Sequence, residues 1–188
     1  MTTDTTLAPT ATKTPTRPRV YIASLADYNA GRLLGHWMDA DQERDALHAQ
    51  IRALLAESRE EVAEEWAIHD HEGFGLWEPR EFETIDTVAA VARGIVEHGD
   101  VFAGLVSHLG TVEEAARYMD EAYGGAWDSL ADYAAAFIED VYSGELRELP
   151  EFIRSHIDYE AIGDDLEMGG DVFTIVCGGA VHVFSSCL

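Results

Sequence analysis

His69, Asp70, His71 and Glu72 are the residues whose types and spacing come nearest to chemistry, because two imidazoles and two carboxylates in a row are zinc ligands by type. Alternate side chains of a strand point to opposite faces, so in a strand the two histidines share one face and the two acids the other. The four do not converge on one ion, and a structural role is expected. The acids of DDLEMGGD, Asp164 to Asp171, are a second candidate. A calcium loop needs acids at alternate positions together with its glycine, and these residues do not keep that order. A solvated helix face is the expectation there. Cys177 and Cys187 have no metal-type spacing and read as two reduced thiols. With no glycine-rich phosphate loop, nucleophile elbow or CxxC, the sequence offers no catalytic constellation, no metal site and no cofactor site, and the chain reads as a non-enzyme.

What stands out instead is Asp128 to Tyr142, DSLADYAAAFIEDVY. Leu130, Tyr133, Ala134, Phe137, Ile138 and Val141 recur at the spacing of one apolar helical stripe. The other face carries Asp128, Asp132, Glu139 and Asp140. No Lys or Arg lies between Arg117 and Arg147 to neutralise them or the neighbouring Asp120, Glu121 and Glu145. Exposed helices ordinarily interleave both signs, since opposite charges at i, i+4 stabilise and like charges destabilise. The segment reads as a built surface of negative potential.

That excess is general. The 188 residues hold 36 acids against 12 basic residues, a net charge of −24, and from Val20 onward there are 35 acids, nine arginines and no lysine. Self-repulsion on this scale stresses a compact state. It excludes ordinary binding to nucleic acid or anionic membranes, which needs a basic footprint. No apolar run is long enough for a membrane span and no signal-type segment is seen, so a cytoplasmic protein is expected.

The elements that must position this charge make an α+β protein of three small domains in line. Residues 1–18, rich in Thr, Pro and Ala, read as a disordered tail. Residues 19–80 read as an α+β domain. It has a strand at RVYIASL, turn chemistry at ADYNAG and a second strand over Leu33 to Met38. A helix capped by Asp39 or Asp41 buries Leu47, Ile51, Leu54 and Leu55, and a strand at EEWAIHD has Trp66 and Ile68 on one side.

Residues 81–124 read as a helical bundle. The first helix starts at Thr84 or Asp86, has Val88, Val91, Ile95 and Val96 inside, and is stopped by Gly99. The second is capped by Asp100, with Phe102, Leu105, Val106 and Leu109 as its apolar face. The third opens on a Thr111–Glu114 capping box, has Val112, Ala115, Met119 and Tyr123 inside, and is ended by Gly124 and Gly125. Residues 125–188 hold the acidic helix, a short helix begun by Pro150 and an acidic helix over Tyr159 to Met168. A hairpin of DVFTIVC and AVHVFSS, turning at Gly178 and Gly179, closes the domain.

Composition alone leaves three readings open: solvation in a salt-adapted acidic protein, docking on one basic partner, and imitation of DNA by carboxylates set where phosphates would be. B-DNA carries about two charges per base pair, so an excess of about 26 matches about 13 base pairs, and a dimer about twice that. Acids at i and i+4 of a helix lie about 6 Å apart along its axis, a separation compatible with a row of phosphates.

The stretches VYIASLADYNAGRLLGHWMD, EEWAIHDHEGFG, SLADYAAAFIED and IDYEAIGDDLEMGGDVFT, with the closing GGAVHVF, resemble the ArdA-type antirestriction proteins in order and spacing. The resemblance covers about Arg19 to Phe184. It implies an elongated homodimer whose acidic surface imitates bent B-DNA and fills the DNA-binding groove of type I restriction-modification enzymes, letting mobile elements enter a cell uncut. The Asp128–Tyr142 stretch is similar to the family's antirestriction motif, which lies near the dimer contact. On this reading the partner-binding acids are Asp120, Glu121, Asp128, Asp132, Glu139, Asp140, Glu145, Glu160, Asp164 and Asp165. Tyr133, Phe137 and Tyr142 then contribute to the dimer contact. The chain departs from its relatives at Ala135 and Ala136, where they commonly carry acids, and in the less polar tip from Val176 to Ala180.

Overall fold

The computed structural model describes residues 17–187. The expected tail therefore lies outside the described residues up to position 16, while its last two positions belong to the fold. Pro18 is buried, its carbonyl accepting from Ala40 N at 2.8 Å, and Arg17 Nε reaches Asp41 Oδ2 at 2.7 Å.

A mixed α+β chain with two small sheets results. β1 (Arg19–Ser24) is the centre of an antiparallel sheet ordered β2-β1-β3, between β2 (Gly35–Asp39) and β3 (Trp66–Glu72). As the central strand it is paired along both edges, and Val20, Ile22, Ala23 and Ser24 are all buried while Arg19 and Tyr21 are half-buried. The ADYNAG segment is more than a turn: Ser24 caps the short helix α1 (Leu25–Asn29), accepting from Asp27 N. α2 (Arg44–Ala56) buries Leu47, Ile51 and Leu54 as its period requires. Its N-cap is Glu43, without a side-chain bond, and neither Asp39 nor Asp41 serves, because Asp41 is engaged by Arg17.

The central helices follow the punctuation of the sequence closely. α3 (Ile85–His98) is capped by Thr84 and α5 (Val112–Glu121) by Thr111, whose Oγ1 accepts from Glu114 N at 3.2 Å. Gly99, at φ 83°, ends α3 and holds the cap position of α4 (Asp100–Leu109), of which Asp100 is the first residue rather than the cap. Val96 is 59% exposed, since it lies one step round the helix from the buried Ile95. α3 and α4 touch closely because Gly94 has no side chain: a Cβ there would lie 2.1 Å from the Phe102 ring.

Gly124 and Gly125 do not end a helix. They sit in β4 (Tyr123–Trp127), a strand missing from the expected elements, and Tyr123 is consequently exposed rather than inside α5. The two glycines fall where the register of β4 shifts against β6 (Ala180–Ser185), and Gly125 has φ 101°. Glycine in a strand marks such a bulge or a close approach. With β5 (Val172–Cys177) these strands form the second sheet, ordered β4-β6-β5, and Gly178 and Gly179, both at positive φ, turn the expected hairpin.

α6 (Leu130–Val141), α7 (Ser143–Glu148), α8 (Glu151–Arg154) and α9 (Tyr159–Met168) complete the chain, with Pro150 at the N-cap of α8 rather than its first residue. α4 lies against β5, where Gly104 leaves room for Ile175. One buried cluster extends from Val20 and Ile22 through Leu47, Val88, Phe102 and Leu105 to Ile175 and Phe184.

Candidate acidic docking surface

The residues that resembled a metal site are separated by the fold. β3 shifts register between its pairs Tyr21–Asp70 and Ile22–Ile68, which leaves His69 as the extra residue of a bulge. His69 meets the ring of Tyr28 edge-on at 4.8 Å, His71 faces Phe74 at 6.1 Å and Glu72 pairs with Arg19. Among the described residues no group of His, Cys, Asp or Glu side chains is placed to hold a metal ion. Cys177 and Cys187 are free thiols, and burial pushes the Cys177 thiol up.

Several of the charges in the N-terminal part are internally engaged. Asp27 is buried, accepts from Ser58 Oγ, Ser24 Oγ and Arg32, and is held at about 2 by these bonds, that from Ser58 being foremost. Arg32 also binds Glu60, so one guanidinium joins the loop after α1 to the loop after α2. Asp86 is likewise lowered, first by its hydrogen bond with His48 and then by Arg44.

The C-terminal part is disposed differently. Asp120, Glu121, Asp128, Asp132, Glu139, Asp140, Glu145, Glu160, Asp164 and Asp165 are all exposed, and none makes an ion pair among the described residues. From Asp120 to Asp171 there are 15 acids and two arginines, so this stretch cannot neutralise itself. α6 and α9 hold much of the set together. Gly163 is buried against Leu130, its hypothetical Cβ lying 3.0 Å from Leu130 Cγ, so two acidic helices pack backbone to side chain and turn their carboxylates outward. Asp132 has a second task that the sequence reading missed. Ser129 caps α6 by accepting from Asp132 N at 3.1 Å and donates back to the Asp132 carboxylate, and an acid in the first turn also suits the helix dipole. The S-x-x-D spacing carried that signal.

The apolar stripe of α6 is only half used. Ala134 is buried, while Leu130, Tyr133, Phe137 and Ile138 are half-buried and Val141 is exposed. Tyr133 packs edge-on against Trp127 at 5.8 Å and stacks toward Phe137 at 6.1 Å. Tyr142 lies open at the helix end, and beyond it Leu149, Phe152 and Ile153 are exposed on α7 and α8 or beside them. Among the described residues no helix is long and apolar enough to cross a membrane.

No curated protein sequence matches the chain. The family model described as antirestriction protein (ArdA) matches residues 20–180, which spans the first sheet, the central helices and the acidic helices α6 and α9. The chain belongs to the ArdA antirestriction protein family.

Proposed function

We propose that the chain blocks type I restriction-modification enzymes by presenting carboxylates where duplex DNA presents phosphates. The observation that carries this reading is the set of ten exposed acids that make no ion pair among the described residues, borne on or beside helices packed to face solvent. Unpaired surface acids at this density cost folding free energy through repulsion. A basic groove shaped for a polyanion offsets that cost on binding. Glu160 and Asp164, one turn apart on α9, have the spacing along an axis that a row of phosphates asks for.

On the same reading the working unit is an elongated homodimer of three small domains per chain, divided near residues 80 and 124. Tyr133 and Phe137 are largely engaged within the chain, so the contact between copies centres on Tyr142 and on the exposed Val141, Phe152 and Ile153 that follow it. An apolar contact is what two acidic copies need to overcome their repulsion. Light scattering at moderate salt then gives twice the chain mass, and a monomer at micromolar concentration contradicts the assembly. The function itself is tested by displacement of labelled duplex DNA from a purified type I enzyme. Displacement without change in the enzyme's bound cofactors supports the reading, and failure to displace overturns it.

A further inference from the structure

The loop from Gly73 to Thr84, between β3 and α3, exposes two large apolar side chains within one short segment: Leu76 is 50% exposed and Phe82 69%. The loop is not loose. Phe74 and Pro79 are buried, Trp77 N donates to the Phe74 carbonyl at 3.1 Å, and Ile68 N donates to the Glu81 carbonyl at 2.9 Å, tying the loop to β3. The backbone is therefore anchored at several points, Phe82 is held outward, and Leu76, lying over Gly104 of α4, keeps half of its surface open.

Two recesses flank the loop. The larger, a cleft of about 860 Å³, is walled by Leu76 and Trp77 and rimmed by Glu78 and Glu113. The smaller, about 390 Å³, is walled by Trp66 and Phe82. Glu83 and Asp86 line both, so the two apolar walls meet across a shared pair of carboxylates. Substituting carboxylates for phosphates gives no reason to hold a leucine and a phenylalanine in water, where each exposed apolar area is unfavourable.

Resting on the reading above, we propose that this two-lobed groove is a second contact to the same basic enzyme, receiving a segment that presents apolar side chains beside arginine or lysine. Charge complementarity selects that occupant. With Asp86 already held by His48 and Arg44, the cleft still sets Glu78, Glu83 and Glu113 against its one arginine, Arg80. A second copy of this acidic chain would bring its own carboxylates against that acidic rim, whereas a basic segment meets it with opposite sign. The groove supplies the part of the affinity that salt does not screen, since apolar burial, unlike ion pairing, persists at high ionic strength.

The test is displacement of labelled duplex from a type I enzyme at low and at high salt, using wild type, the double variant Leu76→Ser with Phe82→Ser, and Phe82→Leu. The double variant is expected to bind about tenfold or more weakly at both salt concentrations, with an unchanged salt slope and an unchanged circular dichroism spectrum. Phe82→Leu, which keeps apolar area, is expected to retain most of the affinity. A double variant that displaces DNA as wild type does overturns this inference alone, and so does one whose mass by light scattering falls relative to wild type, because a second copy then occupies the groove. Wild type that displaces no DNA overturns this inference and the proposed function together.

Discussion

Residues 17–98 hold 17 acids with eight arginines, and residues 120–171 hold 15 acids with two. The first stretch engages part of its charge within the chain: Arg17 with Asp41, Arg19 with Glu72, Arg32 with Asp27 and Glu60, and Arg44 and His48 with Asp86. In the second, Arg154 with Glu151 is the pair found among the described residues. Similar acidity thus serves two ends. In the first stretch the paired carboxylates tie strand to strand, helix to helix and loop to loop, so their loss registers as stability. In the second, most face solvent with no ion-pair partner among the described residues, so their loss registers in whatever they bind.

The contrast breaks most visibly under charge reversal. Changing Glu139, Asp140, Asp164 and Asp165 together to Lys is expected to weaken competition with duplex DNA on the order of 100-fold. The melting temperature should be unchanged or raised, since repulsion is relieved. If that variant unfolds instead, the second stretch is not the free surface described.

A smaller effect, on stability, is expected from Asp27→Asn. Its carboxyl sits at about 2 in the fold against an ordinary value of 3.8. The stabilisation is therefore complete above the unfolded value and is lost as pH falls through the folded one. Thermal melts at pH 7 should show the variant lower by several degrees, and the gap should close between about pH 5 and pH 2. A gap that widens on acidification reverses the assigned role.

Gly163→Val sharpens the comparison from the other side by forcing α9 off Leu130. It is expected to cost about 1–3 kcal/mol, and to disturb binding and stability together because the same contact aligns both acidic helices. The least effect belongs to Ser129→Ala, at about 1 kcal/mol for one lost cap, read by urea denaturation. Loss of the cap also frees the Asp132 carboxylate from Ser129 and leaves competition with DNA intact.

Where local chemistry decides the backbone, the sequence was readable. Thr84 and Thr111 mark helix starts, Gly99 marks a stop, and Gly178 with Gly179 marks the hairpin turn, because each acts through its own backbone or its near neighbours. β4 was not readable. Its glycines serve a bulge and a close approach to Tyr133 and Val183, contacts made only once the second sheet has formed, and locally they resemble a helix stop. The N-cap of α2 was misplaced for a similar reason, since Asp41 is drawn to Arg17, 24 positions away in sequence.

Of the candidate surface, the exposure of the ten acids followed from helical period and the scarcity of arginine. The cap role of Asp132 and the open apolar loop at Leu76 and Phe82 depend on which neighbours the fold supplies. That Tyr133 and Phe137 lie on a packing stripe followed from the helical period, but the ring that meets Tyr133 did not, because Trp127 belongs to the strand that went unseen.

If carboxylates stand in for phosphates, many ion pairs form at once and affinity for a type I enzyme must fall steeply as salt is added. The dependence has a distinguishing feature. Free DNA condenses counterions that binding releases, whereas carboxylates on flexible side chains condense fewer. The decisive measurement is the logarithm of the competition constant against the logarithm of salt concentration, for this protein and for the duplex it displaces, on one enzyme preparation. A strong slope that is shallower than that of DNA is the predicted result. Inhibition that does not change with salt contradicts the mechanism.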